Sequence, residues 1–230
     1  MLTVTFDARD ATLLAQFWAG LLGRKLVEEP GGVLVPGDDT QLGLRFVPSD
    51  SQKAGPNRMH LHVTSESLAD QEQKVATALA LGATHLDVGQ LPEEGHIVLA
   101  DPEGNELCVI EPGNKFLAGC GVLGEIACDG TRAVGVFWSA ATGWPLVWDQ
   151  DEETAIQSPL GGTKVAWGGP PLARKETWSR QRFDLTPPDG DQQAEVDRLI
   201  ALGATRLAAG KEGAVTLADP DGNEFSVQHA

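Results

Sequence analysis

Apolar and polar residues alternate along short segments separated by Gly and Pro, and a few longer segments carry an apolar residue every three or four positions. The alternation predicts β-strands and the longer spacing predicts α-helices. In the first half, strands are predicted at residues 2–6, 24–28, 32–35, 41–47, 58–64, 84–88, 96–100 and 106–110. Asp10 caps a predicted helix that runs to about Leu22, and Ser67 caps a second helix that runs to Leu81.

The second half repeats this order of elements. Strands are predicted at residues 125–128, 144–148, 154–157, 164–167 and 182–186, with final strands that end at Val227, and helices at about 132–141 and 191–202. The segment 96–110 returns as 214–228, and each copy is typical of two strands joined by an Asp-Pro turn that contains Gly. Phe17-Trp18 likewise returns as Phe137-Trp138, about 120 residues later. A repeat of this length indicates a duplicated domain rather than a solenoid.

The repeat divides the chain of 230 residues into two modules. We expect the first module at residues 1–112, a linker at 113–121 and the second module at 122–230. Each module is long enough to have a core of its own.

Composition narrows the possible partners. The formal net charge of −16 argues against nucleic acid and anionic membranes, and it favours either simple solubility or a cationic ligand. The sequence contains neither a spanning apolar segment nor a signal-peptide pattern. Three cysteines make no disulfide framework and favour a reducing compartment, so we expect a cytoplasmic protein.

Paired βαβββ units, Phe-Trp on the first helix, Leu-Gly-Ala-Thr, and Asp-Pro-Glu/Asp-Gly-Asn-Glu each occur twice in the same order. Together they resemble the vicinal oxygen chelate superfamily, which includes glyoxalase I, bleomycin-resistance proteins and extradiol dioxygenases. The resemblance implies an α+β fold of two tandem modules. In each module two βαβββ units would form a cupped mixed sheet, with helices on the convex side. The modules would pack as a pseudo-symmetric pair, with one cup per module or a cleft between them.

Metal-dependent members of that superfamily carry a His on the first strand, a His on the fifth and a Glu on the last. The matching positions of this chain are Thr3, His60 and Cys108 in the first module, and Leu123 or Gly124, Arg182 and Ser226 in the second. Only His60 keeps the expected ligand type. The resemblance therefore implies that the usual metal site is absent and that no cofactor is needed.

A different metal site remains an alternative. His60 and His62 are two residues apart on one predicted strand, so their side chains share a face, and Glu106 can supply a carboxylate from the last strand. Without a metal, the two histidines would contact ligand or water, or act as acid–base catalysts near neutral pH.

Aromatic residues distinguish the second module. Trp144 and Trp148 stand where the first module has Arg24 and Glu28, and alternation places both on one face. That face forms either an aromatic cleft for flat organic ligands or part of the core between the modules. Phe17-Trp18 and Phe137-Trp138 recur on helices, and we expect them in the core.

Polar groups near that face complete the candidate site. Arg182, Asp184 and Glu224 replace His60, His62 and Glu106, and they make either a structural ion-pair cluster or an anchor for the polar group of a ligand. The predicted ligand-binding residues are Trp144, Trp148, Arg182, Asp184, Glu224, Ser226, Thr3 and Cys108.

These observations favour a metal-independent protein, similar to bleomycin-resistance proteins, that binds a hydrophobic or aromatic small molecule. The alternative is a glyoxalase-type lyase, isomerase or dioxygenase that uses a divalent metal at His60, His62 and Glu106. The predicted assembly is a monomer with an internal pseudo-dimer, or a homodimer.

Overall fold

The computed structural model describes residues 2–91, 93–172, 175, 177–187, 189–209 and 213–229. The helices are α1 (Ala11–Leu22), α2 (Leu68–Ala80), α3 (Arg132–Thr142) and α4 (Gln192–Ala201). The strands of the first half are β1 (Leu2–Ala8), β2 (Val27–Glu29), β3 (Gly32–Val35), β4 (Gly43–Pro48), β5 (Met59–Val63), β6 (Thr84–His85), β7 (Ile97–Ala100) and β8 (Glu106–Val109). The strands of the second half are β9 (Leu123–Cys128), β10 (Leu146–Gln150), β11 (Glu153–Gln157), β12 (Lys164–Trp167), β13 (Gln181–Leu185), β14 (Thr205–Ala209), β15 (Val215–Ala218) and β16 (Glu224–Val227).

These strands form two mixed sheets of eight strands each. The first sheet has the order β14-β15-β16-β13-β1-β4-β3-β2, and the second has the order β10-β11-β12-β9-β5-β8-β7-β6. Each sheet contains two βαβββ units, which confirms the predicted α+β class and the order of elements.

The two units of each sheet come from different halves of the sequence. In the first sheet β1 runs antiparallel to β13, with Thr3 opposite Asp184. In the second sheet β5 runs antiparallel to β9, with His62 opposite Glu125. The ranges 1–112 and 122–230 therefore describe the sequence repeat, whereas each sheet combines one unit from each repeat. The hydrophobic pattern along the chain does not show that each sheet combines units from both repeats, because this combination is decided by pairing between distant strands.

Two predicted strands begin later than the pattern indicates. The strand predicted from position 144 begins at Leu146 because Pro145 has no N–H to contribute to a ladder. The strand predicted from Arg24 begins at Val27, and the guanidinium of Arg24 donates to the carbonyl of Leu42 at 2.8 Å.

One apolar core contains residues from both sheets and from the helices. Helix α1 packs on β1, β3 and β4, α3 packs on β10 to β12, and α4 packs on β16. Phe17, Trp18, Phe137 and Trp138 are all buried, as predicted from their place on the helices. The face of each sheet that points away from this apolar core carries polar residues. It is called the polar face below.

The two repeated motifs meet in space. The indole N–H of Trp18 donates to Asp101 at 3.3 Å, and that of Trp138 donates to Asp219 at 3.4 Å. Each carboxylate also accepts hydrogen bonds from the turn that follows it, including two backbone N–H groups. The Asp-Pro turn of each repeat is therefore fastened to the helix of the same repeat, although the two lie in different sheets.

We predict that the separated halves depend on each other. A chain cut within residues 114–119 should yield two fragments that associate, because β1 and β5 each lose an antiparallel partner when the other half is removed. Co-expression and co-purification measure the association. Two stable, soluble monomers without mutual affinity would contradict it.

Loss of either indole-bound carboxylate, Asp101 or Asp219, should destabilise the folded protein by a similar amount. We expect Asp101→Ala and Asp219→Ala each to lower the free energy of unfolding by about 1–3 kcal/mol, since several buried donors lose their acceptor. The exposed Asp39→Ala is the control, with an expected change within about 0.5 kcal/mol. Urea denaturation measures all three, and equal values for Asp219→Ala and Asp39→Ala would contradict the role.

Candidate functional site

The predicted site residues are divided between the two sheets. Thr3, Arg182, Asp184, Glu224 and Ser226 lie on strands of the first sheet. His60, His62, Glu106 and Cys108 lie on strands of the second sheet, and Trp148 is on its edge strand β10. Trp148 and the predicted polar anchors Arg182 and Asp184 therefore lie on different sheets.

His60, His62 and Cys108 form a cluster on the polar face of the second sheet. One possible ligand atom from each residue lies within 4.8 Å of those from the other two, and Cys108 is opposite His62 in the strand register. On the other side of His62, Nδ1 lies 2.6 Å from the carboxylate of Glu125. Nε2 of His62 is buried and has no hydrogen-bond partner.

The two histidines have opposite protonation behaviour. Burial alone lowers the pKa of His62, but the influence of the neighbouring Cys108 and of the carboxylate of Glu125, which is bonded to Nδ1, outweighs burial and raises it to about 9. Burial, together with the nearby charges of His62 and His96, lowers the pKa of His60 to about 4. At neutral pH the metal-free cluster therefore combines a charged His62, paired with Glu125, and a neutral His60.

Glu125 was missed by sequence reasoning. The spacing along the chain predicts the first-strand position of the second module at Leu123 or Gly124, and this prediction is wrong. The strand register shows that Glu125 is opposite His62, as Thr3 is opposite Asp184. The spacing between the first strand and the first helix differs by two residues between the repeats, so counting along the chain loses the register.

Glu106 does not join the histidines. Its carboxylate lies 2.5 Å from the ammonium of Lys53 and accepts a hydrogen bond from the backbone of Asn57. In the other repeat, Glu224 pairs in the same way with Lys175 and accepts from the backbone of Ser179. The last-strand glutamates therefore anchor the loops that lead into β5 and β13.

The linker covers part of the second polar face. Phe116, Leu117 and Cys120 pack in one apolar cluster with Val98, Cys108 and Ile110. The ammonium of Lys164 donates to the carbonyl of Phe116 and lies 4.2 Å from the centre of its ring. The linker, which the sequence predicts only as a connection, therefore restricts access to the histidine cluster.

Ion pairs occupy the polar face of the first sheet. Arg182 lies 2.7 Å from Asp7 and 3.8 Å from Asp184, and the hydroxyl of Thr5 donates to Asp184 at 2.6 Å. Burial raises the pKa of Asp184, and the charge of Arg182 opposes that effect. Ser226 is buried opposite Asp184 in the register. Arg182 therefore lies between two carboxylates, as expected, but the second carboxylate is Asp7, whereas the predicted Glu224 pairs with Lys175.

Trp144 and Trp148 do not share a face. The register of β10 shifts between Leu146 and Trp148, so Leu146 pairs with the core residue Ile156 whereas Trp148 pairs with Ala155. Trp144 packs against the core with Leu146, and Trp148 contacts Phe116 edge-to-face at 5.9 Å between ring centres. The bulge breaks the alternation on which the predicted aromatic face depended.

A cavity of about 290 Å³ lies between the loops that precede β5 and β13. Trp178, which is 51% exposed, lines this cavity together with Arg182 and the buried Trp138 and Trp167. The tryptophan that shares a cavity with Arg182 is therefore Trp178 rather than Trp148. The sequence carries a signal for Trp178, because the matching position of the first repeat is Pro56.

Comparison with known proteins agrees with this architecture. The sequence profile of the glyoxalase-like domain matches residues 3–110 and again residues 125–228. The chain therefore belongs to the glyoxalase-like family, in two tandem copies, and the predicted resemblance is confirmed. No curated protein sequence matches the chain significantly.

Two solved structures illustrate the shared fold. Glyoxalase I from Zea mays is similar with a TM-score of 0.64 at 13% sequence identity, over 99% of this chain and 92% of that one. A Bacillus subtilis protein assigned as a dioxygenase is similar with a TM-score of 0.61 at 14% identity, over 98% and 83% of the two chains. These identities establish the fold alone. Within the described ranges, no helix is long and apolar enough to cross a membrane.

Proposed function

We propose that this glyoxalase-like protein binds a small planar organic compound, without a metal, in the cavity between the loops that precede β5 and β13. The observation that carries the proposal is the half-exposed Trp178 in one cavity with Arg182. An indole face provides stacking area, and a guanidinium provides one polar anchor. The volume of about 290 Å³ suits a compound of one or two rings.

The charges around the cavity refine the class of ligand. The net charge of the chain favoured a cationic compound, but the lining has more cationic than acidic side chains. The cationic residues are Lys53, Arg58, Lys175, Arg180 and Arg182, and the acidic ones are Asp129, Asp219 and Glu224. Each of these cations is paired with a carboxylate, and Asp129 and Glu224 are themselves members of these ion pairs. The lining therefore has no surplus of acidic groups that would select a cation, and a neutral or anionic compound fits.

The other candidate surface offers less room. The linker packs on the polar face of the second sheet through Phe116 and Cys120, next to Cys108. A ligand at the histidine cluster would have to displace these apolar contacts. The cavity beside Trp178 requires no such displacement.

We predict that Trp178→Ala weakens binding of 2-naphthoate, an anionic planar probe, by roughly 5- to 150-fold, because one stacking surface is lost. Isothermal titration calorimetry measures the affinity, and quenching of tryptophan fluorescence gives an independent signal. Trp148→Ala is the matched control, since Trp148 is similarly exposed but lies on the edge strand of the second sheet. A larger loss in Trp148→Ala than in Trp178→Ala would contradict the proposed site.

A metal-dependent enzyme is the second candidate, and one observation favours it. Nδ1 of His62 is held by Glu125 while the buried Nε2 has no partner, which is the arrangement that orients a metal-binding imidazole. His60, His62 and Cys108 would hold the ion, and two imidazoles with a thiolate suit Zn²⁺. Such an ion supplies Lewis-acid chemistry to a lyase, isomerase or dioxygenase. Glu125 would orient His62, and the linker would limit the size of a substrate.

The first sheet does not fit a metal in the same way. At the positions that correspond to His60, His62 and Cys108 it has Arg182, Asp184 and Ser226, which offer a guanidinium, one carboxylate and one neutral hydroxyl. Asp184 is already bonded to Thr5 and lies beside Arg182. A competing metal site is therefore proposed for the second sheet only.

Metal analysis separates the two candidates. We predict well under one equivalent of divalent metal in protein purified without chelator, measured by elemental analysis. About one equivalent of Zn, Ni, Fe or Mn would favour the enzyme if Cys108→Ser and His62→Ala lose it and Cys120→Ser keeps it. Cys120 is the matched control because it is a buried thiol of the same apolar cluster but is not part of the donor group.

We also propose a reducing, cytoplasmic location. All three cysteines are free thiols in the structure. Free thiols persist most readily where glutathione and thioredoxin keep them reduced.

A further inference from the structure

Gln181 is a buried amide without a hydrogen-bond partner. Its side chain is 5% exposed, and neither Nε2 nor Oε1 has a partner. Gln181 begins β13 and shares the core face of that strand with Phe183, and both residues line the cavity. A buried amide that is left unpaired destabilises the folded protein, so its presence calls for a physical reason.

The other repeat shows that the fold does not require an amide here. The matching residue is Met59, which begins β5 as Gln181 begins β13, and it is buried. Met59 and Gln181 line the same cavity. An apolar side chain satisfies this position in one repeat, so the amide in the other repeat serves a purpose outside the architecture.

We propose that Gln181 recognises a planar ligand with adjacent hydrogen-bond donor and acceptor groups, such as the N–H and C=O of a lactam or cyclic imide. This inference rests on the proposed function and names the class of compound that the cavity takes. The carboxamide offers one acceptor and two donors, so it pairs edge to edge with such a group. The walls beside it include Phe183, Trp138 and Trp167, and in apolar surroundings an amide pair is stronger than in water.

Two guanidinium groups in the cavity lining also favour a ligand that offers hydrogen-bond acceptors. Nε of Arg58 and Nε of Arg180 are also buried without a hydrogen-bond partner, and both residues line the cavity. Nε of Arg58 has an ion-pair partner in Asp129 at 3.8 Å, so Nε of Arg180 is the freer of the two donors. One terminal nitrogen of each side chain is engaged, that of Arg58 with Asn223 and that of Arg180 with Glu103. The cavity therefore has more free donors than free acceptors, which favours a ligand with additional oxygen atoms.

The test compares quinolin-2(1H)-one with its N-methyl derivative, which keeps the ring and the carbonyl but lacks the N–H donor. In the wild-type protein we expect the lactam to bind about 5- to 150-fold more tightly than the N-methyl compound, measured by calorimetry. In Gln181→Met, which copies the other repeat, this ratio should fall to about one. Trp148→Ala should keep the wild-type ratio.

A stability measurement separates recognition from a structural role. Removing an unpaired buried amide should raise the melting temperature of the ligand-free Gln181→Met variant by about 2–10 °C. An amide with a structural role would give a decrease instead. Gln181→Leu is the second variant, in case Met packs poorly, and the same two changes are expected of it.

Each outcome supports or overturns a specific claim. A wild-type ratio of about one, an unchanged ratio in both variants, or a lower melting temperature in both would overturn the role of Gln181. If 2-naphthoate binds in a Trp178-dependent manner while the lactam shows no preference, only this inference fails. If 2-naphthoate does not bind, or binds independently of Trp178, the proposed function itself fails.

Discussion

Antiparallel pairing of strands from opposite repeats is the constraint on which the rest of the structure depends. Because β1 pairs with β13 and β5 pairs with β9, neither repeat completes a sheet by itself. The loops that lead into β5 and β13 therefore pass between the sheets, where each is anchored by a lysine–glutamate pair. The cavity lies between these two loops, so it exists only in the assembled pair.

The repeats agree where they build the fold and differ where they contact a cavity or polar face. Both repeats keep the indole–carboxylate bond, through Trp18 with Asp101 and through Trp138 with Asp219. Around the cavity, by contrast, Gln181 replaces Met59 in the second repeat. This asymmetry is a physical guide to function, because one copy shows what the architecture needs and the other shows what has been added.

The polar faces of the two sheets carry different functional groups although the sheets share one fold. The first has an ion-pair cluster in which Arg182 lies between Asp7 and Asp184. The second has the histidine cluster beneath the linker, where Lys164 contacts Phe116. The exposed indole of Trp178 lies at the junction of the sheets, where cationic and acidic side chains are paired with each other.

Local sequence determined the secondary structure, the capping residues Asp10 and Ser67, the buried Phe-Trp pairs and the shared face of His60 and His62. These features depend on neighbouring residues and on the periods of strand and helix, which can be read along the chain. Tertiary structure alone decided that Glu125 meets His62, that Trp178 rather than Trp148 lies with Arg182, and that each sheet unites two repeats. Those features depend on strand register, on one bulge in β10 and on pairing between residues far apart in sequence, and a one-residue shift in any of them moves a side chain to the other face.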